Sequence, residues 1–160
     1  MITKQDLLSI MEKEFATTIK VLEAYPEGQD SFRPHERSSD AMKLVSTFVF
    51  EMYLLDGYLF GEKADPAKFK NYKPANVKAA ISDFKNETNA IKEKMEKMSD
   101  DELNKVISFA GRTFTGVDFA FMMICDQIHH RGQLSVYIRM AGGLVPSIYG
   151  PSADDNSTNL

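Results

Sequence analysis

The sequence predicts an all-α protein, an antiparallel four-helix bundle. Four long segments repeat apolar residues at helical spacing, turn-forming residues separate them, and no segment alternates convincingly like a strand. The chain has 160 residues, of which 43% are hydrophobic and 26% charged, a globular composition that supports one core without disulfides. We expect one domain over residues 1–150 and a polar, disordered tail over residues 151–160.

The first two predicted helices differ in their expected burial. The first runs from about residue 4 to residue 23, after a capping box made by Thr3 and Asp6. The loop "PEGQDSFRPHERSSD" follows it. The second helix, from about residue 39 to residue 60, is apolar almost all round and is therefore expected to be buried on more than one side.

The third predicted helix runs from about residue 74 to residue 98, with Pro74 in its first turn. Its apolar positions form a single stripe, made by Val77, Ile81, Phe84, Thr88, Ile91, Met95 and Met98. A short helix is expected at "SDDEL", and "VISFAGRTF" could be extended. The fourth helix begins after Thr115, capped with Asp118, and continues to about Met140, where two glycines stop it.

Charge and cysteine content exclude several classes of protein. The net charge is -4 with no basic patch, which argues against nucleic-acid binding. A single cysteine, Cys125, permits no intrachain disulfide and suits a reducing cytoplasm. The N-terminus lacks the layout of a signal peptide, and no apolar run approaches the roughly 20 residues of a membrane span. We expect a cytoplasmic protein.

The stretch "CDQIHHRGQLSVYIR", residues 125–139, carries the candidate site. At about 100° per residue, Asp126 and His130 lie in the middle of the core-facing stripe of the fourth helix. A buried carboxylate needs a partner. An aspartate one turn before a histidine either hydrogen-bonds the imidazole or shares a metal with it. Two ligands alone are too few for a metal site, so the residues leave both interpretations open.

The opposite face of the fourth helix is apolar or small as well. It is made by Phe121, Ile124, Cys125, Ile128, Gly132 and Ser135. One bundle does not need both faces of a helix buried, so we predict a homodimer that packs through this face.

Two segments resemble a known family. "HHRGQLSVYIRMAGGLVPSIYGPSADD" strongly resembles the C-terminal signature of the DinB-like superfamily, and "RSSDAMKLVSTFVFEMYLL" resembles its second-helix signature. The resemblance covers roughly residues 1–150. It implies a four-helix bundle, usually dimeric, with a divalent metal held by three histidines, one from the second helix and two from the fourth. The better-understood relatives are metal-dependent enzymes that use low-molecular-weight thiols.

This chain departs from the ligand set that the resemblance implies. His130 matches the last histidine, but Asp126 stands where the preceding one is expected, and Thr47 stands at the second-helix position. Glu51 lies one turn after Thr47. Asp126, Glu51 and His130 would form an oxygen-rich set that favours manganese, iron or magnesium over zinc.

Two hypotheses follow for function. In the first, the chain is a DinB-like, divalent-metal-dependent enzyme of the thiol-dependent transferase or hydrolase type, binding manganese, iron, nickel or zinc through its divergent ligands. In the second, it is a non-catalytic dimeric helical bundle, and Asp126, His130 and Thr47 form a vestigial, metal-free polar site that can bind a small ligand. Neither hypothesis assigns a catalytic residue or a substrate.

Overall fold

The computed structural model describes residues 2–61 and 63–155 and is mostly helical. The helices are α1 (Lys4–Glu23), α2 (Ala41–Leu59), α3 (Pro66–Asn71), α4 (Val77–Lys97), α5 (Asp100–Leu103) and α6 (Gly116–Met140). Strands β1 (Val106–Phe109) and β2 (Arg112–Thr115) form an antiparallel hairpin between α5 and α6. Within the described residues, no helix is both long enough and apolar enough to cross a membrane.

The four long helices enclose one apolar core. Both α1 and α2 pack against α4 and α6, so the contacts close a ring in the order α1, α4, α2, α6. Phe48 and Phe84 are fully buried between these helices, where their rings meet edge to face. The contact between α2 and α6 forms the candidate site, because that site is built from side chains of these two helices.

Two of the helix pairs in the ring are antiparallel. In the α1–α4 pair, Lys4 at the start of α1 donates to the carbonyl oxygen of Met98 just after α4, whereas Glu23 at the end of α1 pairs with Lys85 in the first half of α4. In the α2–α6 pair, the Tyr137 hydroxyl near the end of α6 donates to the carbonyl oxygen of Ser39, just before α2 begins. These two pairs agree with the arrangement predicted from the sequence.

The other two helix pairs are parallel, so the antiparallel arrangement predicted from the sequence holds for only two of the four pairs. The starts of α2 and α4 are both tied to Asp30, whose backbone carbonyl accepts from Met42 and whose carboxylate accepts from the N–H of Val77. Near the other ends of these helices, Lys94 pairs with Asp56. The connection that contains α3 therefore returns the chain along the length of α2, as a long crossover does in some helical bundles.

The helix ends follow from local capping groups. Thr3 and Asp6 form the expected capping box of α1, and the Thr115 side chain accepts from the N–H of Asp118 at the start of α6. The start of α4 differs from the prediction, because Asn76 is the N-cap and Pro74 lies before the helix. Asparagine is among the strongest N-caps, so its side chain determines the first turn.

The α4 stripe is confirmed. All seven of its predicted members are buried, namely Val77, Ile81, Phe84, Thr88, Ile91, Met95 and Met98. A helix with one buried stripe and a charged opposite face packs on only one side, as the ring requires.

The β1–β2 hairpin departs from the all-α prediction. Its turn contains Ala110 and Gly111 with φ of 50° and 73°, and left-handed values at both central residues are typical of hairpin turns whose twist matches the strands. Ile107 is 3% exposed, and the Phe109 ring lies 5.5 Å from the Phe119 ring, centroid to centroid. The hairpin is stabilised by packing on the first turns of α6, a contact that no local pattern predicts.

Candidate metal centre

Glu51 of α2 meets Asp126 and His130 of α6 between the two helices. One potential ligand atom of each residue lies within 4.8 Å of the others. His130 Nδ1 is 2.9 Å from Glu51 Oε1 and 3.7 Å from Asp126 Oδ1. Two ligand atoms that each lie about 2.1 Å from one ion are about 3.0 Å apart in octahedral geometry and about 3.4 Å apart in tetrahedral geometry. The Glu51–His130 spacing matches joint ligation of one divalent ion, and Asp126 would have to move inward by a few tenths of an ångström to complete the set.

Glu51 is the most deeply buried member of this group, with a side chain that is only 2% exposed. Among the described residues, neither of its carboxylate oxygens has a hydrogen-bond partner. His130 Nδ1 lies 2.9 Å from Oε1 and 3.0 Å from the backbone carbonyl oxygen of Asp126, so a protonated imidazole would pair with the Glu51 carboxylate, and an unprotonated Nδ1 is free to ligate a metal. A buried carboxylate without a hydrogen bond is unfavourable, and a cation between these residues would relieve it. The donor set therefore fits a divalent metal.

The electrostatics of the group favour a proton when no metal is bound. Burial raises the pKa of Glu51 to about 7, although the neighbouring His130 opposes the rise. The adjacent Glu51 carboxylate in turn raises the pKa of His130 above its ordinary value. The pair thus holds a proton more tightly in the folded chain than in the unfolded chain, and a metal ion would have to displace it.

Asp126 lies at the rim of the site and not in the middle of the core, which corrects the helical-wheel prediction. Its side chain is 46% exposed, whereas that of His130 is 19% exposed. The two residues differ by about 40° around α6. This offset places Asp126 where the α2–α6 interface opens to solvent.

A cavity of about 430 Å³ opens beside His130. It is lined by Ser38, Ser39, Leu44, Thr47, His130, Gln133 and Tyr137. The Thr47 hydroxyl donates to the carbonyl oxygen of Lys43 in its own helix, at 3.0 Å. Thr47 thus lines the cavity, and Glu51 is the α2 residue whose carboxylate lies beside the imidazole. Apart from His130, the lining side chains are uncharged.

The imidazole of His130 is positioned by aromatic packing. The Phe48 ring meets it edge to face, with the ring centroids 6.1 Å apart. His129, its neighbour, is exposed, and its Nε2 lies 2.8 Å from the side-chain nitrogen of Gln133. Within residues 2–61 and 63–155, the only cluster of three potential metal-ligating residues of the His, Cys, Asp or Glu type is Glu51, Asp126 and His130.

The outward face of α6 is mostly as predicted, with one correction. Phe121 is 40% exposed, and Cys125 and Gly132 are also exposed. Ile124, predicted on this face, is 1% exposed. It belongs to the core because α1 and α2 cover two different sides of α6, which widens the buried surface of this helix beyond one stripe.

Arg131 and Gln127 are buried polar residues that the sequence reasoning missed. Both are 1% exposed. The sequence feature that could have identified Arg131 is its place in "HHRGQ", directly after His130. It lies about 100° around α6 from His130, so its side chain points away from the face that carries Asp126 and His130.

The fold and the site together define a class of protein: a mostly helical chain with a carboxylate–imidazole group between two long helices. The profile of the DinB family matches residues 8–159. The chain therefore belongs to the DinB family, which is associated with metal binding.

Two solved structures share the fold. A DinB-like protein of Bacillus cereus ATCC 10987 is 22% identical, with a TM-score of 0.77 over 91% of this chain and 97% of that one. The DinB-like protein YjoA of Bacillus subtilis is 21% identical, with a TM-score of 0.68 over 94% of this chain and 98% of the other. The uncharacterised protein YrdA of Bacillus subtilis (strain 168) is 39% identical over 57 residues, which span 36% of this chain and only 34% of YrdA.

Proposed function

We propose that this protein is a divalent-metal-dependent enzyme whose metal is held by Glu51, Asp126 and His130. The observation that carries the proposal is Glu51, a buried carboxylate that makes no well-aligned hydrogen bond and lies 2.9 Å from an imidazole nitrogen. Such a group destabilises the folded chain when it is ionised, and ligating a cation is a chemical use that would justify its presence. Two carboxylates and one imidazole favour manganese or iron over zinc, although nickel and zinc are also accepted by imidazole.

The cavity beside His130 is the proposed substrate site. When bound, the metal would supply Lewis-acid activation of a substrate or bind a thiolate directly, consistent with thiol-dependent group transfer or hydrolysis. The chain itself supplies hydroxyls from Ser38 and Ser39 and the amide of Gln133, which suit a small polar molecule. The Tyr137 hydroxyl is committed to the Ser39 carbonyl oxygen at 2.7 Å, so this residue forms a wall of the cavity.

Metal content tests the proposal directly. We expect elemental mass spectrometry of tag-free protein, purified without chelator, to find close to one equivalent of manganese, iron, nickel or zinc per chain. The physical reason is that a cation relieves the buried carboxylate. Protein that stays metal-free after incubation with each of these ions would contradict the proposal.

The second candidate function is a metal-free polar site that binds a small ligand. The observation that favours it is the position of His130 Nδ1, 3.0 Å from the carbonyl oxygen of Asp126, where a protonated nitrogen can donate without a metal. Under this alternative, ligands would still occupy the cavity, but their binding would not depend on added metal.

We further propose that the ring of four helices is a four-helix bundle that forms a cytoplasmic homodimer. The face of α6 that includes Phe121 also exposes Val136 at 51%, which is unusual for a helix that faces only water. We expect light scattering after size exclusion to give twice the mass of one chain.

A Val136→Glu variant should be monomeric, because a symmetric contact would bury two unpaired carboxylates. A wild-type monomer at micromolar concentration would refute the dimer.

A further inference from the structure

Arg131 is a buried cation that the proposed metal chemistry does not use. It is 1% exposed, and its guanidinium donates to Glu14 Oε2 at 2.7 Å and to Thr18 Oγ1 at 3.2 Å, both on α1. It also donates to the hydroxyl of Tyr149, which lies beyond the end of α6. That hydroxyl donates to Glu14 Oε2 at 2.7 Å. One buried charge therefore joins α1, α6 and the C-terminal segment, residues 141–155.

The C-terminal segment returns along the bundle and is held at several points. Asp154 accepts from Arg139 Nε at 2.8 Å and from the N–H of Val145 at 2.9 Å. Lys20 of α1 donates to the carbonyl oxygen of Ser147 at 2.7 Å. Among these contacts, the bond from Tyr149 to Arg131 is the one that reaches a buried residue of α6.

Arg131 and His130 are consecutive residues that face different helices. They differ by about 100° around α6, so Arg131 faces α1 while His130 faces Glu51 on α2. A rotation or a shift of α6 that moved His130 away from Glu51 would also pull the guanidinium from its partners. Because an unpaired buried charge is strongly unfavourable, the Arg131 contacts hold α6 in one rotational position.

We propose that Arg131 is a positioning residue for the metal centre, and that the Glu14–Arg131–Tyr149 cluster couples the C-terminal segment to metal binding. The inference rests on the proposed function, since it assumes that His130 is a metal ligand. Coupling between two sites is reciprocal. Weakening the cluster therefore lowers metal affinity, and binding metal stabilises the C-terminal segment by the same factor.

The test uses Tyr149→Phe, which removes the bridging hydroxyl but leaves the buried charge paired with Glu14. We expect its Mn²⁺ affinity to be weaker than that of the wild type by about two- to thirtyfold, the range for residues that modulate coupling between two sites without touching the ligand. Lys92→Gln is the matched control, because it breaks the Lys92–Glu12 pair between α4 and α1, which involves neither α6 nor the C-terminal segment, and should leave Mn²⁺ affinity unchanged. Calorimetric titration is made at a temperature where all three proteins are folded.

The reverse effect, stabilisation of the C-terminal segment by bound metal, is measured by amide hydrogen exchange of residues 141–155. Mn²⁺ should slow exchange there in the wild type, and slow it less in Tyr149→Phe.

Equal Mn²⁺ affinities for Tyr149→Phe and the wild type would overturn the inference while leaving the metal site intact. A wild type that binds none of manganese, iron, nickel and zinc would defeat the proposed function, and the positioning role would then be decided by the imidazole ¹H–¹³C signals of His130. A signal that moves in Tyr149→Phe supports that role, and an unmoved signal overturns it.

Discussion

The His130→Ala protein is expected to bind Mn²⁺ on the order of 100-fold more weakly than the wild type, because the group would lose its only nitrogen ligand. His129→Ala is the matched control. It truncates the adjacent histidine, whose ring is exposed and lies beside Gln133, outside the group formed with Glu51. Calorimetric titration of both variants with Mn²⁺ would measure the difference.

The comparison separates a metal centre from a purely structural polar cluster. A structural cluster predicts that His130→Ala changes the free energy of unfolding and that neither variant changes metal affinity. Equal Mn²⁺ affinities for the two alanine variants would therefore remove His130 from the ligand set, whatever their stabilities.

The second large effect is expected from Glu51→Gln in metal-free protein. The folded chain raises the pKa of Glu51 from 4.5 to about 7 and also raises that of His130. Both groups bind protons more tightly when folded. Their contribution to stability is thus complete below the unfolded pKa values and is lost as the pH rises through the folded ones. For Glu51 alone the shift corresponds to about 3 kcal/mol.

Wild-type protein in chelator is therefore expected to lose stability between about pH 5 and pH 8. Glu51→Gln cannot ionise at this position, so it should be less sensitive to pH and more stable than the wild type at pH 8, by about 1–3 kcal/mol. Urea denaturation at pH 5 and at pH 8 would measure the free energy of unfolding of the wild type and of Glu51→Gln. Added Mn²⁺ should stabilise the wild type at pH 8 but not Glu51→Gln. A metal-free variant that is less stable than the wild type at pH 8 would mean that the carboxylate is satisfied in the folded chain.

Much of the local structure could be predicted from the sequence. Thr3, Ser99 and Thr115 cap helices through bonds to residues three positions ahead, and the α4 stripe is a repeat within a single helix. The placement of Asp126 one turn before His130 is likewise a property of one helix. These features depend on interactions between residues that are close in the chain.

The composition of the candidate site depended on how α2 lies against α6. Thr47 and Glu51 are one turn apart, and both were candidates for the second-helix position. Only the register between the two helices places the Glu51 carboxylate 2.9 Å from His130 Nδ1, while Thr47 bonds to its own helix and lines the cavity. A shift of one turn along a helix is about 5.4 Å, which is enough to exchange the two.

What the sequence by itself determined are the four long helices, most of their caps and the family, because these arise from short-range patterns and a recognisable motif. Only the tertiary structure decided the parallel α2–α4 pair, the hairpin packed on α6, and the burial of Arg131 against Glu14 and Tyr149. Each of these depends on contacts between different elements of the structure. Their energies come from burial and charge pairing between elements, which the pattern within any single element does not encode.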